Sequence, residues 1–185
     1  GFDTGPANCL LDAWAERHLG RSFDSGGAFA ASGRVDRDLL ARLLDDPYFL
    51  LPPPKSTGRE VFNATWLEQR LDGANVAPAD VQATLLELTA RTVADAIGKH
   101  AAGSDDVIAC GGGVHNPALM VALAAALAPA RVESSATHGV DPDFVEAMLF
   151  AWLARERLLE RPVTDVARVT GARGARVLGA LYFGA

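Results

Sequence analysis

The sequence predicts an α/β fold in which a mixed sheet is flanked by helices. Two observations carry this. A short apolar run at 107–110 and a plausible short strand at 131–134 are separated by a glycine-rich turn and an apolar helical stretch, the order of a strand–helix–strand unit. Elsewhere, apolar residues recur mostly at helical spacing.

Taken in order, residues 7–19 form the first predicted helix, with Leu10, Leu11, Trp14 and His18 at helical spacing and Gly20 suited to its C-terminal end. Residues 37–45 form the second, carrying Leu39, Leu40, Leu43 and Leu44, and Asp46-Pro47 stops it. An extended proline run then enters the polar turn 55–60. The longest predicted helix covers 78–100, with Val81, Leu85, Leu88, Val93, Ala96 and Ile97 as its stripe and Pro78 in its first turn. Residues 107–110 read as a buried strand that includes Cys110. Residues 118–127 read as a helix opened by Asn116-Pro117, and 131–134 as a second strand. A helix starting at Asp141-Pro142 aligns Phe144, Met148, Ala151 and Trp152 on one face, and the apolar tail 177–183 suits a last strand or a docked segment.

Composition narrows the function classes. The chain has 185 residues, 49% hydrophobic and 22% charged, the balance of a folded globular protein rather than a disordered or disulfide-stapled one. A net charge of −6 argues against nucleic acid as a partner, since phosphate neutralisation needs basic surface. Cys9 and Cys110 form no CxxC or Cys/His cluster, so no direct metal site is expected. No apolar run is long enough to span a membrane, and a cytoplasmic, reducing location is expected.

Four strings could carry chemistry. Phe2-Asp3-Thr4-Gly5-Pro6-Ala7-Asn8 describes a strand end feeding a tight turn and a helix start, a place that attracts phosphate. Asp3 there is either a general base or metal anchor, or it and Thr4 simply cap the helix. Cys110-Gly111-Gly112-Gly113-Val114-His115-Asn116 is costly in backbone entropy and could lie against a nucleotide. It also nearly matches the dinucleotide fingerprint, with Glu133 about 20 residues on, so an NAD-dependent oxidoreductase built on Gly111–Glu133 is a competing class. Position 116 is Asn rather than Gly or Ala, which weakens it. In Asp141-Pro142-Asp143-Phe144-Val145-Glu146, the first carboxylates suit a helix start and Glu146 is placed to face a polar substrate. Finally, Lys55 and Arg59 offer a basic pair for an anion, or for surface ion pairs.

These strings, in this order, resemble the C-terminal lobe of the anhydro-N-acetylmuramic acid kinases, within the sugar kinase/actin-like ATPase superfamily. The resemblance runs from Phe2-Asp3-Thr4-Gly5-Pro6 with Asn8, through Asp46-Pro47-Tyr48-Phe49 and Pro54-Lys55-Ser56-Thr57-Gly58-Arg59-Glu60 with Phe62. Asp80 to Leu85 and Glu87 to Ala90 follow on the long helix. Cys110 to Gly113 with Asn116, Glu146-Ala147, Phe150 to Ala154 and Val169 to Ala172 complete it.

The resemblance implies a ribonuclease H-like lobe and an ATP-dependent enzyme of cell-wall recycling that takes an anhydro-sugar, with Mg2+ arriving on the nucleotide. It would open the 1,6-anhydro bridge with water and phosphorylate O6, giving N-acetylmuramate 6-phosphate. By this resemblance Asp3 is the catalytic base. Thr4, Gly5, Pro6 and Asn8 form a phosphate loop; Gly111, Gly112, Gly113 and Asn116 form an adenosine loop. Glu146 is a sugar-side residue, and Lys55 and Arg59 are candidates beside it. A homodimer through the full-length protein is also implied. A non-catalytic actin-like protein that senses nucleotide or sugar is the third class. The resemblance further implies that a first lobe and this lobe's opening strands are missing ahead of Gly1, so the chain alone should be inactive and expose an apolar sheet edge. Where the family reads Asp-Thr-Gly-Pro-Gly-Asn, this chain has Ala7, which is expected to be helical, where Ala is the better residue.

Overall fold

A computed structural model describes residues 1–182. Its centre is the helix α5, Pro78–His100. Ala77 is extended and Pro78 occupies the first turn, so the helix begins where the missing proline N–H is harmless. Val81, Leu85 and Leu88 are fully buried, and Leu86 and Ala90 bury a second flank. Burial on that scale contributes roughly 1.5–3 kcal/mol per large side chain. Around α5 lie α1 (Cys9–Leu19), α2 (Ala28–Ser32), α3 (Arg37–Leu44) and α6 (Pro117–Leu127), while α4 (Ala64–Leu71) packs on α1 and α3.

The same helix ties down the loops around it through polar side chains. Gln82 donates to the Leu11 carbonyl (3.2 Å), Thr84 accepts from the Asp36 N–H (2.9 Å), and Thr89 donates to the Ala7 carbonyl (2.9 Å). Buried backbone groups thereby find partners, and the turn ahead of α1 is held against the core.

The predicted strands form as β1, Asp106–Ala109, and β2, Arg131–Ser134. They pair in parallel, Val107 opposite Val132 and Ala109 opposite Ser134, with α6 as the crossover. The sheet among the described residues is thus two-stranded and parallel, not mixed. The antiparallel element is an isolated bridge between Val163 and Arg176. With no third strand beside it, β1 is not buried: Ile108 is 53% exposed and Cys110 lies at the surface. Residues 177–182 form no strand, and Phe183 lies outside the described residues.

Helix ends follow local chemistry. Asp36 accepts from the Leu39 N–H to start α3, Asn63 from Trp66 N–H to start α4, and Asn116 from Leu119 N–H to start α6. Pro142–Phe144 makes a single tight turn before α7, Val145–Leu158, and α8 follows at Val166–Thr170. Of the residues predicted to share one face of this helix, Phe144 and Met148 are more than half exposed and Trp152 is 44% exposed.

Candidate functional site

Asp3 is held by the 55–57 segment and does not cap α1. Its N–H donates to the Lys55 carbonyl (3.1 Å), and its own carbonyl accepts from the Tyr48 hydroxyl (2.7 Å). In the side chain, Oδ2 accepts from Ser56 Oγ (2.9 Å) and from the Thr57 N–H (3.0 Å). The cap position of α1 belongs to Asn8, whose side chain makes no capping bond. Both capping readings, for Asp3 and for Thr4, therefore fail.

The turn between Asp3 and Asn8 is shaped by packing. A Cβ on Gly5 would lie 3.1 Å from both the Phe49 ring and the Thr92 hydroxyl, so glycine there permits close approach to α5. Ala7 has φ 46, in the left-handed region, and α1 starts two residues later at Cys9. This corrects the expectation that Ala7 is helical: the chain must reverse between buried Pro6 and Asn8 before the helix can begin. A Cβ in that region costs about 1–2 kcal/mol.

The two basic residues of the 55–60 turn differ: Lys55 is engaged by backbone, while Arg59 faces a groove. Lys55 Nζ donates to the Tyr48 carbonyl (3.0 Å) and the Phe49 carbonyl (3.5 Å) and lies over the Tyr48 ring. Burial, and then the nearby Lys99 charge, push its pKa down. Arg59 is exposed and lines a groove with Cys9, Asp12 and Glu16. Its charge partly offsets the burial that raises the Cys9 thiol and Asp12 carboxyl pKa values. Burial, and then the Asp3 charge, raise the Tyr48 phenol.

The glycine loop reaches the Asp3 turn through Asn8, since a Cβ on Gly113 would lie 3.5 Å from Asn8 Nδ2. Gly111 has φ 78 and donates its N–H to the Pro142 carbonyl (2.9 Å). A cavity of about 390 Å³ opens between the two segments, lined by Asn8, Asp12, Phe23, Asp24, Gly112 and Asn116 among others. Asp24 is buried there and accepts from the Phe29 and Ala30 N–H groups, which fixes the wall. Of the three glycines only Gly112 lines this cavity, together with Phe23. Among the described residues no group of three or more His, Cys, Asp and Glu is arranged to hold a metal by itself.

Some predicted residues stay apart. Thr4 lines a different cavity, with Phe2, Lys99 and His100. Glu146 is exposed, in the first turn of α7, and its side chain is engaged by no hydrogen bond among the described residues. Glu133, the ribose acid of the dinucleotide reading, contacts His138 (3.2 Å) instead. Unforeseen was the support beneath Tyr48: buried Asp46 accepts from Tyr48 N–H and Trp66 Nε1 (2.8 Å each) and pairs with Arg70. Ser56 and Thr57 lie in the 54–60 segment, and nothing in their residue types indicates that both donate to Asp3.

The chain matches the family model for anhydro-N-acetylmuramic acid kinase over residues 1–184. It is 60% identical over 182 residues to an anhydro-N-acetylmuramic acid kinase of Xanthomonas campestris pv. campestris (strain 8004). Identity is 56% over 182 residues to one of Xylella fastidiosa (strain Temecula1) and 58% over 187 residues to one of Burkholderia lata. Each match covers 98% of this chain but 48% or 49% of the relative. The chain spans about half the length of the curated relatives it matches; the C-terminal placement expected from the motifs rests on motif order alone. No helix among the described residues is long and apolar enough to cross a membrane.

Proposed function

The chain belongs to the anhydro-N-acetylmuramic acid kinase family, and we propose that it supplies the half of such an enzyme that carries the catalytic base. The observation that carries this reading is the state of Asp3. Its Oδ2 is engaged by Ser56 and Thr57 while no donor among the described residues reaches Oδ1, the arrangement a positioned base needs.

In the proposed reaction a water gives its proton to Asp3 Oδ1 as its oxygen attacks the anomeric carbon of 1,6-anhydro-N-acetylmuramic acid. The bond from that carbon to O6 breaks, and O6 takes the γ-phosphoryl group of ATP, giving N-acetylmuramate 6-phosphate and ADP in cell-wall recycling. The Asp3-Thr4-Gly5-Pro6 turn with Asn8 would face the phosphates. Gly111 to Gly113 and Asn116 would hold the adenosine in the cavity beside Asn8. Mg2+ bound to the nucleotide would spread the charge of the transferring phosphoryl group. Glu146 is retained as a sugar-side residue on resemblance. Lys55 acts by fixing the loop that grips Asp3, not by touching substrate. The ribonuclease H-like lobe and a homodimer are part of the same proposal.

Family membership and the engagement of Glu133 leave the NAD-dependent reading without support. The test is ADP release by the full-length gene product, expected only when the anhydro-sugar is present. Asp3→Asn should lower turnover by about a thousandfold or more, in keeping with loss of a general base on the reaction path, while ATP still binds. Full turnover by that variant would overturn the assignment of Asp3. Ligand binding with no product in the unmodified protein would favour a sensor instead.

A further inference from the structure

We infer that Ser56 is a positioning residue for the base, because its hydroxyl and the Thr57 N–H bind the same oxygen of Asp3 and so dedicate the other oxygen to the attacking water. This rests on the reading of Asp3 as base and deepens it.

The two oxygens of a carboxylate are equivalent until their surroundings distinguish them. Here Oδ2 receives both Ser56 Oγ (2.9 Å) and the Thr57 N–H (3.0 Å). Two donors fix the rotation of the carboxyl plane, where one would leave it free to swing. The backbone beneath is fixed independently. Tyr48 holds the Asp3 carbonyl, Lys55 holds its N–H, and Lys55 is itself tied to Tyr48 and Phe49. Asp46, with Trp66 and Arg70, anchors Tyr48 from the core side.

Within this support Ser56 is the one element whose loss would not disturb the rest. Its side chain is exposed, and the bond to Asp3 is the only one it makes among the described residues. Removing its hydroxyl should loosen the carboxylate and leave the scaffold intact. Small errors in the placement of a reacting group cost one to two orders of magnitude in rate.

The test compares Ser56→Ala, Ser56→Thr and Ser56→Cys with Asp3→Asn in the full-length gene product. Ser56→Ala is expected to lower kcat about tenfold with KM for ATP and anhydro-sugar within twofold. Ser56→Thr, which keeps the hydroxyl, should restore most of it. Ser56→Cys keeps the size but weakens the donor and should behave like Ala, which decides the matter even if the Ala variant folds poorly. Unchanged kcat in Ser56→Ala would overturn the inference. So would a rise in KM that accounts for the loss, or an equal loss in Ser56→Thr. Because Asp3→Asn is measured alongside, failure of the base reading appears as retained turnover in that variant, while failure of this inference alone appears as an inactive Asp3→Asn beside a fully active Ser56→Ala.

Discussion

The helices packed on α5 and the elements β1 and α7 use apolar side chains in opposite ways. In the first group, Leu10, Leu39, Leu43, Leu67 and Leu85 are buried, and Leu119, Leu123 and Leu127 of α6 join the same core. In the second, the same kinds of residue face outward: Ile108 on β1, and Phe144, Met148, Phe150 and Trp152 on and beside α7. Pattern explains the difference. On α3 the buried positions Leu39 and Leu43 are one turn apart while Arg37, Asp38 and Arg42 take the other side. On α7 apolar residues run round the whole helix from Val145 to Trp152. A helix apolar all round is built to be covered on more than one side, and nothing among the described residues does so. The candidate site lies on the seam between the two groups, with Asp3 gripped by the 55–57 segment and the glycine loop joining β1 to α6.

The largest expected effect tests that contrast directly. Leu85→Ala should cost about 2–5 kcal/mol of unfolding free energy, from lost burial and the cavity left behind. Phe150→Ala in the same chain should stay within about 0.5 kcal/mol, as exposed changes do. Urea unfolding of both variants measures the difference. Similar losses at the two positions would break the comparison, because Phe150 would then be packed against something.

A smaller effect is expected where the seam meets strain. Ala7 holds a left-handed conformation between Pro6 and Asn8, so Ala7→Gly should stabilise the chain. The relief of the Cβ clash, about 1–2 kcal/mol, is reduced by the extra backbone entropy of glycine in the unfolded state, roughly 0.4–1 kcal/mol. A net gain of a few tenths to about 1 kcal/mol in urea unfolding is expected. A loss would mean that the turn is not strained at residue 7.

The parts of the fold legible in the sequence are those with a one-sided pattern and a capping residue. The bounds of α5 at Pro78 and His100 and the start of α6 after Asn116 follow from proline and cap chemistry. That a helix follows Asp141-Pro142 could be read, but not its extent or its surroundings, since periodicity does not say whether a neighbour exists. The apolar run at 107–110 likewise suggested burial that a sheet of two strands does not supply. In the site, Asp3 and the glycine loop are candidates by residue type, and Asn8 by the family resemblance. The grip of Ser56 and Thr57 on Asp3 could not, because one of the two donors is a backbone N–H. The role of Lys55 was hidden for the same reason, its acceptors being the carbonyls of Tyr48 and Phe49. Ala7 was misread because residue type alone favours helix where the path of the chain forbids it.

The smallest expected effect concerns Asp12, a partly buried carboxylate on the wall of the cavity at the seam. Burial raises its pKa from 3.8, and the Arg59 charge offsets only part of that. A carboxyl whose pKa is higher in the folded than in the unfolded state favours folding while protonated. Its contribution is fully present below 3.8 and is lost as pH rises through the folded value. At neutral pH the ionised group therefore weighs against folding. Asp12→Asn should be modestly more stable than the unmodified chain at pH 7, and the gap should close as pH falls below 3.8. Urea midpoints at neutral and acidic pH measure this. A gap that persists at low pH would mean that the amide gains its stability from hydrogen bonding, not from removal of a charge. Closure of the gap would place the cost of this charge at the seam, on the wall of the cavity proposed to take the nucleotide.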